Sequence, residues 1–402
     1  MVRFYRLAWS DLEPFNTPTP IMNKIYSLFT FVASMLLVFG CTATDKAVVR
    51  VSHSPDRQPI KLTQIASYLH DEQSTLTNID FIDDQQILID DHNGAMLLNI
   101  PSNKIIAKFT NPEFPHDIAH GFDIRQNGQY LFLGYSDRVD LWDIAERKII
   151  EQMADLDPVY AASISHDLKY IFAAGALWST DKKSKIQKFT QITKVLDASF
   201  SPDDRILLIV DFFFGVSIND VQSNKQLYYW KIPRGIFAYQ FSPDSKRAYM
   251  IQNGPFDNSS GHTINKKVRV YSIESGKLLA TYAHDSPIVA WSPITRSSDL
   301  YTSTEDNKII EWSNATHKKT RVWETQQKAT VLKLDDKNRL WCGFENGDIK
   351  VLTENSDTLE TVANLQGSVY ALNLNTTNDL LAVNLRKGTQ HQIITYRIED
   401  NE

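Results

Sequence analysis

The residues of this chain best suited to nucleophilic or metal chemistry are its 2 cysteines and 10 histidines. The cysteines, Cys41 and Cys342, stand far apart in the sequence. A disulfide framework needs several pairs, and a zinc site needs Cys or His at short spacing. The sequence therefore predicts neither a disulfide framework nor a zinc site. Cys342, in "RLWCGFENG", is typical of a small apolar residue buried in a strand.

One pair of histidines flanks a carboxylate. The stretch "FPHDIAHGFD" contains His116, Asp117 and His120, and imidazole is a common metal ligand. The alternative is that these side chains form local hydrogen bonds within the fold. We favour that second interpretation, so the sequence predicts no metal site here.

A second polar stretch departs from the calcium-loop pattern. "LIDDHNG" contains Asp90, Asp91 and Asn93, but Ile89 occupies the first ligand position. A plain hairpin turn is the better prediction. The patterns H-E-x-x-H, G-x-S-x-G and the P-loop do not occur in the sequence. We therefore expect no catalytic residue, no cofactor and no enzymatic activity.

The charge balance argues against nucleic acid as a partner. The formal net charge is -6, with 42 basic and 48 acidic residues. Affinity for nucleic acid comes largely from basic clusters that release counterions from phosphate. The chain contains no such cluster, so we expect it not to bind nucleic acid.

An uncharged, apolar stretch lies near the N-terminus. Residues 25–40, "IYSLFTFVASMLLVFG", carry no charge and follow Lys24. A membrane-spanning helix needs about 20 residues, so this stretch fits the apolar region of a secretory signal better. Met22 begins this unit. We interpret residues 1–21 as an upstream extension and residues 22–40 as a signal peptide.

The end of the signal, "VFGC", resembles the lipobox of bacterial lipoproteins. Val38, Gly40 and Cys41 match that pattern, whereas Phe39 stands where a smaller residue is usual. The resemblance implies cleavage before Cys41 and a lipid on its thiol, with residues 41–58 as a tether. Thr42 favours the outer membrane, which places the protein in the bacterial cell envelope facing the periplasm. The alternative is an uncleaved signal anchor.

A repeat begins after residue 59. Short runs of alternating apolar residues are separated by turns, which is typical of antiparallel strands. Eight runs end in an apolar anchor residue, with a mean spacing of about 42 residues, which is the period of four-stranded propeller blades. The anchors are Phe81, Ile124, Ile164, Phe200, Phe241, Trp291, Leu334 and Leu374.

The repeat resembles that of the WD-repeat (WD40) β-propellers. One unit contains an intact Trp142-Asp143 pair, and two units contain "FSPD". The resemblance implies an all-β fold in which residues 59–402 form a single propeller. We predict eight four-stranded blades, with seven plus an irregular segment as the alternative. Residues 59–69 then supply the missing outer strand of the last blade and close the ring.

One repeat comes close to the hydrogen-bonded tetrad of that family. The candidate residues are His284, Asp306 and Trp312, completed by Thr302 or Thr304. In the family this set stabilises a blade and performs no chemistry, and we expect the same role here.

Surface features of the repeats suggest a binding role. Residues 212–214 are three consecutive phenylalanines, which either pack between blades or present an aromatic anchor to a partner. An insertion at residues 253–267 is the better candidate surface, because loops carry function on rigid scaffolds. We therefore predict a lipid-anchored protein-binding scaffold, without identifying its contact residues. The alternatives are a small-ligand or enzymatic site in the central channel, and a purely structural role in the envelope.

Overall fold

The computed structural model describes the backbone of Arg3–Phe4 and most of residues 60–399. The parts not described within that range are 71–75, 77, 92, 112, 114–116, 120, 127, 157, 183, 190–194, 212–214, 233, 258–261, 293–298 and 354–355. The predicted signal peptide, Cys41 and the tether lie outside the described residues.

Alternating apolar residues form short antiparallel strands, and these group into four-stranded sheets in chain order. The first four sheets, blades 1 to 4, consist of β3 (Asn78–Asp83), β4 (Gln86–Asp91), β5 (Gly94–Asn99) and β6 (Lys104–Thr110); β7 (Gly121–Arg125), β8 (Tyr130–Gly134), β9 (Val139–Asp143) and β10 (Lys148–Met153); β11 (Ser163–Ile164), β12 (Tyr170–Ala173), β13 (Ala176–Ser179) and β14 (Ser184–Lys188); and β15 (Val195–Phe200), β16 (Ile206–Asp211), β17 (Gly215–Asp220) and β18 (Lys225–Lys231).

The remaining sheets, blades 5 to 8, follow the same order. They consist of β19 (Ile236–Phe241), β20 (Arg247–Gln252), β23 (Lys267–Ser272) and β24 (Leu278–Ala283); β25 (Ile288–Trp291), β26 (Asp299–Thr304), β27 (Lys308–Ser313) and β28 (Lys319–Glu324); β29 (Ala329–Leu334), β30 (Leu340–Phe344), β31 (Asp348–Leu352) and β32 (Glu360–Asn364); and β33 (Ser368–Leu374), β34 (Leu380–Lys387), β35 (Gln390–Glu399) and β2 (Lys61–His70).

Blade 8 takes its outer strand from the start of the propeller. β2 pairs antiparallel with β35 along its whole length, from Lys61 opposite Glu399 to His70 opposite His391. Without β2, blade 8 would have only three strands, and β2 completes it and joins the start of the propeller to its end. The predictions of eight blades and of closure by an N-terminal strand are confirmed.

Blade 5 carries the predicted insertion. Between its second and third strands the chain forms a small hairpin, in which β21 (Phe256–Asp257) pairs with β22 (His262–Thr263). A further two-residue strand, β1 (Arg3–Phe4), pairs with the inner strand β19. Blade 3 is the least regular unit, since its inner strand β11 has only 2 residues.

The alternating strand directions define two faces of the ring. The turns between second and third strands and the connections between blades lie on one face, which we call the upper face. The turns between first and second strands and between third and fourth strands lie on the opposite, lower face. In β2, His70 lies beside the second turn of blade 8 and is therefore at the upper face. The chain consequently enters the propeller at Lys61, on the lower edge of blade 8.

The core lies between blades. One buried cluster combines Tyr249 and Tyr282 of blade 5 with Trp291 and Trp312 of blade 6. Burial of such large side chains contributes roughly 25 cal/mol per Å² of apolar surface.

Six of the eight anchors are the last residue of an inner strand, and they are Ile164, Phe200, Phe241, Trp291, Leu334 and Leu374. In the part of the chain that the structure describes, no helix is long and apolar enough to cross a membrane.

Candidate functional site

Blade 6 contains a buried hydrogen-bonded set centred on Thr302. His284 Nε2 lies 2.9 Å from the Thr302 hydroxyl, and Trp312 Nε1 donates to the same oxygen at 3.0 Å. All three side chains are buried, and the His284 and Trp312 rings are 4.9 Å apart. The structure therefore brings together three of the four tetrad candidates, and Thr302 rather than Thr304 is the hydroxyl between them.

The fourth candidate, Asp306, makes different contacts. Its carboxylate accepts hydrogen bonds from the Thr304 hydroxyl and the Lys308 amine, both at 2.6 Å. These bonds fix the turn between β26 and β27, because a short turn gains stability when its polar groups are paired locally. They also lower the pKa of Asp306, against the effect of its desolvation.

The histidine of this set is neutral. Its Nδ1 lies 3.2 Å from the carbonyl oxygen of Tyr282, which can only accept, so Nδ1 carries the proton. Nε2 then accepts from the Thr302 hydroxyl, which in turn accepts from Trp312. Burial lowers the pKa of His284 to about 4. Since no group of this set is exposed to a substrate, the arrangement stabilises the blade and leaves no free acid, base or nucleophile.

The turns between first and second strands form a belt on the lower face. The Asp204 carboxylate accepts from the backbone N–H groups of His166 and Asp167 in the preceding blade, at 2.7 and 2.8 Å. The Ser245 hydroxyl likewise accepts from the backbone of Asp203 at 3.1 Å. Asp203 belongs to one "FSPD" stretch, and Asp204 and Ser245 each follow directly after such a stretch. These turns therefore join neighbouring blades.

The inner strands share a set of equivalent positions, each one residue before an anchor. We call it the inner-wall ring, and its members are Asp80, Asp123, Ser163, Ser199, Gln240, Ala290, Lys333 and Asn373. Hydrogen bonds link neighbouring members, since Ser163 donates to Asp123 at 2.8 Å and Asn373 donates to Asp80 at 2.6 Å. Sequence inspection did not single out this ring, although its fixed offset from the anchors is a usable signal.

Asp80 and Lys333 are two of the three charged members of the ring, and the charge of each affects the pKa of the other. Burial raises the pKa of Asp80, whereas the Lys333 charge lowers it. Burial likewise lowers the pKa of Lys333, and Asp80 and Asp336 oppose that effect. Asn78 and Asn373 donate to Asp80 at 2.8 and 2.6 Å.

The upper face carries the exposed features. The blade 5 hairpin projects there, and Ile118 and Tyr160 lie on consecutive connections between blades, with 42% and 54% of their surfaces exposed. Among the residues that the structure describes, the other exposed large apolar side chains lie on outer strands, and they are Ile65, Leu69, Ile150, Leu227, Tyr229, Leu278, Leu279 and Val322. Exposed aromatic residues on loops are the usual anchors of protein interfaces.

Several other sequence candidates can be placed. Asp117 accepts a hydrogen bond from Ser136, at 3.2 and 3.1 Å to its two oxygens, whereas His116 and His120 lie outside the described residues, as do residues 212–214 and Cys41. Across the described ranges, no group of His, Cys, Asp and Glu is arranged to hold a metal ion.

Two further candidates lie within strands. Asp91 pairs with Gly94 in the hairpin that joins β4 and β5, as expected for a plain turn. Cys342 is a buried free thiol of β30. Burial raises the pKa of the Cys342 thiol well above its ordinary value, so it is not a nucleophile.

Comparison with known proteins supports the fold and identifies no family. No model of a protein family matches the chain, and no curated protein does. Among solved structures, the chain is similar to the crystal structure of the computationally designed Ika8 protein, with a TM-score of 0.61 and 14% sequence identity over 82% of this chain and 98% of that one. At that identity the similarity concerns the fold alone. By its architecture the protein is an eight-bladed β-propeller.

Proposed function

We propose that this protein is a lipid-anchored, WD40-like propeller that binds other proteins at the bacterial cell envelope. A closed ring of eight sheets is a rigid scaffold, and propellers of this kind present loops to partners. The observation that carries the proposal is the combination of this ring with the signal-like stretch that ends at Cys41. The anchor would be a lipid on Cys41, with the outer membrane as the destination and the periplasm as the working compartment.

The strand order suggests which face of the ring would point toward the membrane. The chain enters the propeller at Lys61, on the lower edge of blade 8. A tether at residues 41–58 would therefore attach the lipid to the lower edge of the ring. A flexible chain of that length has a root-mean-square span of roughly 25 Å, so the upper face would point away from the membrane more often than toward it. The blade 5 hairpin, Ile118 and Tyr160 would then face the partner.

Lipidation is tested by metabolic labelling with an alkyne-bearing fatty acid. We expect the wild-type protein to be labelled and to fractionate with membranes, and Cys41→Ala to lose both properties. Cys342→Ala is the matched control, because it removes the other thiol of the chain and should keep the label. Recovery of the unlabelled wild-type protein from the cytoplasm would contradict the proposal.

Partner binding is tested by crosslinking in cells followed by purification from detergent-solubilised membranes. We expect specific partners to copurify with the wild-type protein and to be reduced by Tyr160→Ala combined with Ile118→Ala. Leu278→Ala is the control, because Leu278 is also exposed but lies on the outer strand β24. Equal recovery from all variants would exclude the upper face as the contact surface.

A further inference from the structure

Two exposed apolar side chains lie close to one turn of the upper face, the turn between β8 and β9 in blade 2. In this turn the Ser136 hydroxyl donates to the Asp117 carboxylate, at 3.2 and 3.1 Å to its two oxygens. The Ser136 carbonyl accepts from the backbone N–H of Val159 at 2.8 Å. Ile118 follows Asp117 in the chain, and Tyr160 follows Val159. Each exposed side chain is therefore next in sequence to a residue that contacts this turn.

Acidic side chains surround the same turn. Asp137 is exposed, and its backbone carbonyl accepts from the N–H of Leu156 at 2.9 Å. Asp155, the residue before Leu156, is also exposed. Glu113 is exposed too, and its carboxylate lies 3.8 Å from the Arg138 guanidinium at the end of the turn. Three exposed carboxylates thus lie in the turn or beside it.

The basic side chain of the turn does not cancel this charge. Arg138 is buried, and its guanidinium lies 2.9 Å from the buried carboxylate of Asp140. The described residues of the turn and of the two connections that flank blade 2 include no other lysine or arginine. The surface therefore attracts cations over about one Debye length, roughly 8 Å at physiological salt. We call it the acidic upper patch, and its members are Glu113, Asp117, Ile118, Asp137, Asp155 and Tyr160.

We propose that the acidic upper patch binds a protein segment that combines lysine or arginine with an apolar side chain. This inference rests on the proposed scaffold function and names the class of partner for it. The apolar side chain packs against Ile118 and Tyr160, which supply most of the affinity. The cationic groups pair with Asp137 and Asp155, which select the partner and speed its association, whereas an acidic segment is repelled.

The test is calorimetric titration of the purified full-length protein in detergent with three hexapeptides whose ends are capped. Their sequences are Lys-Lys-Leu-Leu-Lys-Lys, Glu-Glu-Leu-Leu-Glu-Glu and Lys-Lys-Gly-Gly-Lys-Lys. We expect the first to bind with a Kd of about 1 mM or below, and the other two to bind at least about tenfold more weakly. An increase in salt from about 50 mM to about 500 mM should weaken binding of the first, because it shortens the Debye length.

A charge-removing variant tests whether the patch is the site. Asp137→Asn combined with Asp155→Asn should weaken binding of the basic apolar peptide by about three- to tenfold and reduce its dependence on salt. Asparagine tolerates the φ of 54° at residue 155. Glu305→Gln is the matched control and should bind as the wild type does. Glu305 is an exposed acid of the equivalent turn in blade 6, on the opposite side of the ring.

Circular dichroism of each variant checks folding. Absence of binding by folded wild-type protein, equal binding of the basic and acidic peptides, or an unchanged affinity of the double variant would overturn the proposal. The outcome is separable from that of the scaffold function. Cellular partners recovered equally with the double variant would leave the scaffold standing and overturn this inference, whereas a protein without lipid that still prefers the basic apolar peptide would support it.

Discussion

His70 lies directly opposite His391 where the closing strand β2 pairs with β35, and both imidazoles are buried. His391 Nδ1 is 2.9 Å from the side-chain oxygen of Asn384, and its ring lies edge-on to that of Tyr370. The two histidines therefore occupy the strand pair that holds the ring shut.

This pairing predicts that the propeller loses stability in mild acid. Burial, then the charges of Arg386 and His70, lowers the pKa of His391 from 6.5 to about 4. The unfolded chain binds a proton at pH 6.5, whereas the folded chain resists it until about pH 4. The free energy of unfolding should therefore fall as the pH drops through this window, by up to about 3 kcal/mol for this group. Urea unfolding at a series of pH values measures the effect.

The matched variant is His391→Gln, which keeps a donor for Asn384 but does not titrate. Its free energy of unfolding should depend less on pH than that of the wild type. Some dependence will remain, because the pKa of buried His284 is lowered in the same direction. Identical pH profiles of the two proteins would contradict the assignment to His391.

Removal of the Thr302 hydroxyl should destabilise blade 6. Thr302→Val keeps the volume but leaves His284 Nε2 and Trp312 Nε1 buried without partners. Each orphaned group costs about 1–3 kcal/mol, so we expect a loss of roughly 2–4 kcal/mol in the free energy of unfolding. Thr302→Ser retains the hydroxyl and should lose much less. A Thr302→Val protein as stable as Thr302→Ser would show that these bonds contribute little.

The lower belt should depend on the Asp204 carboxylate. Asp204→Ala removes the acceptor of two backbone N–H groups of blade 3 and also places alanine at a φ of 58°. Together these changes should lower the free energy of unfolding by about 1–3 kcal/mol. Asp204→Asn keeps one acceptor oxygen and tolerates this backbone conformation, so it should have the smaller effect. Chemical denaturation of the two variants, side by side, decides the matter.

The turn between β12 and β13 can be stabilised by a substitution. Ala174 and Gly175 connect β12 and β13 with φ values of 51° and 65°, which is a two-residue turn of the type that favours Asn-Gly. Ala174→Asn should therefore raise the free energy of unfolding by about 0.5–1 kcal/mol through relief of backbone strain. Ala174→Val should lower it, because a β-branched residue fits this conformation poorly. The order of thermal midpoints, Asn above Ala above Val, is the expected result.

The periodic features were accessible from the sequence. Anchors such as Phe200 and Trp291 recur at the blade period because the end of each inner strand packs against the core of the preceding blade. Their number predicted eight blades, and the strand missing from the last repeat predicted closure by the segment before Asn78. Local turn chemistry also predicted the hairpin at Asp91. These features follow from residues close together in the chain, so the sequence alone determines them.

The contacts between blades required the tertiary structure. Ser245 bonds to Asp203, Ser163 to Asp123 and Asn373 to Asp80, and each pair joins different blades. The structure also decided that the carboxylate of Asp306 pairs within its own turn instead of joining the predicted tetrad. β-Bulges near the start of five consecutive inner strands were also not predicted, at Leu196, Phe237, Val289, Thr330 and Tyr370.

The physical reason for this division lies in the length scale of the interactions. Apolar alternation and turn residues act over a few positions and determine the strands, their number and their order. Side chains such as Asn373 and Asp80 meet only after the ring has closed, because they belong to the last and the first blade. The sequence thus determined the eightfold repeat, and the closed ring decided which polar side chains of neighbouring blades meet.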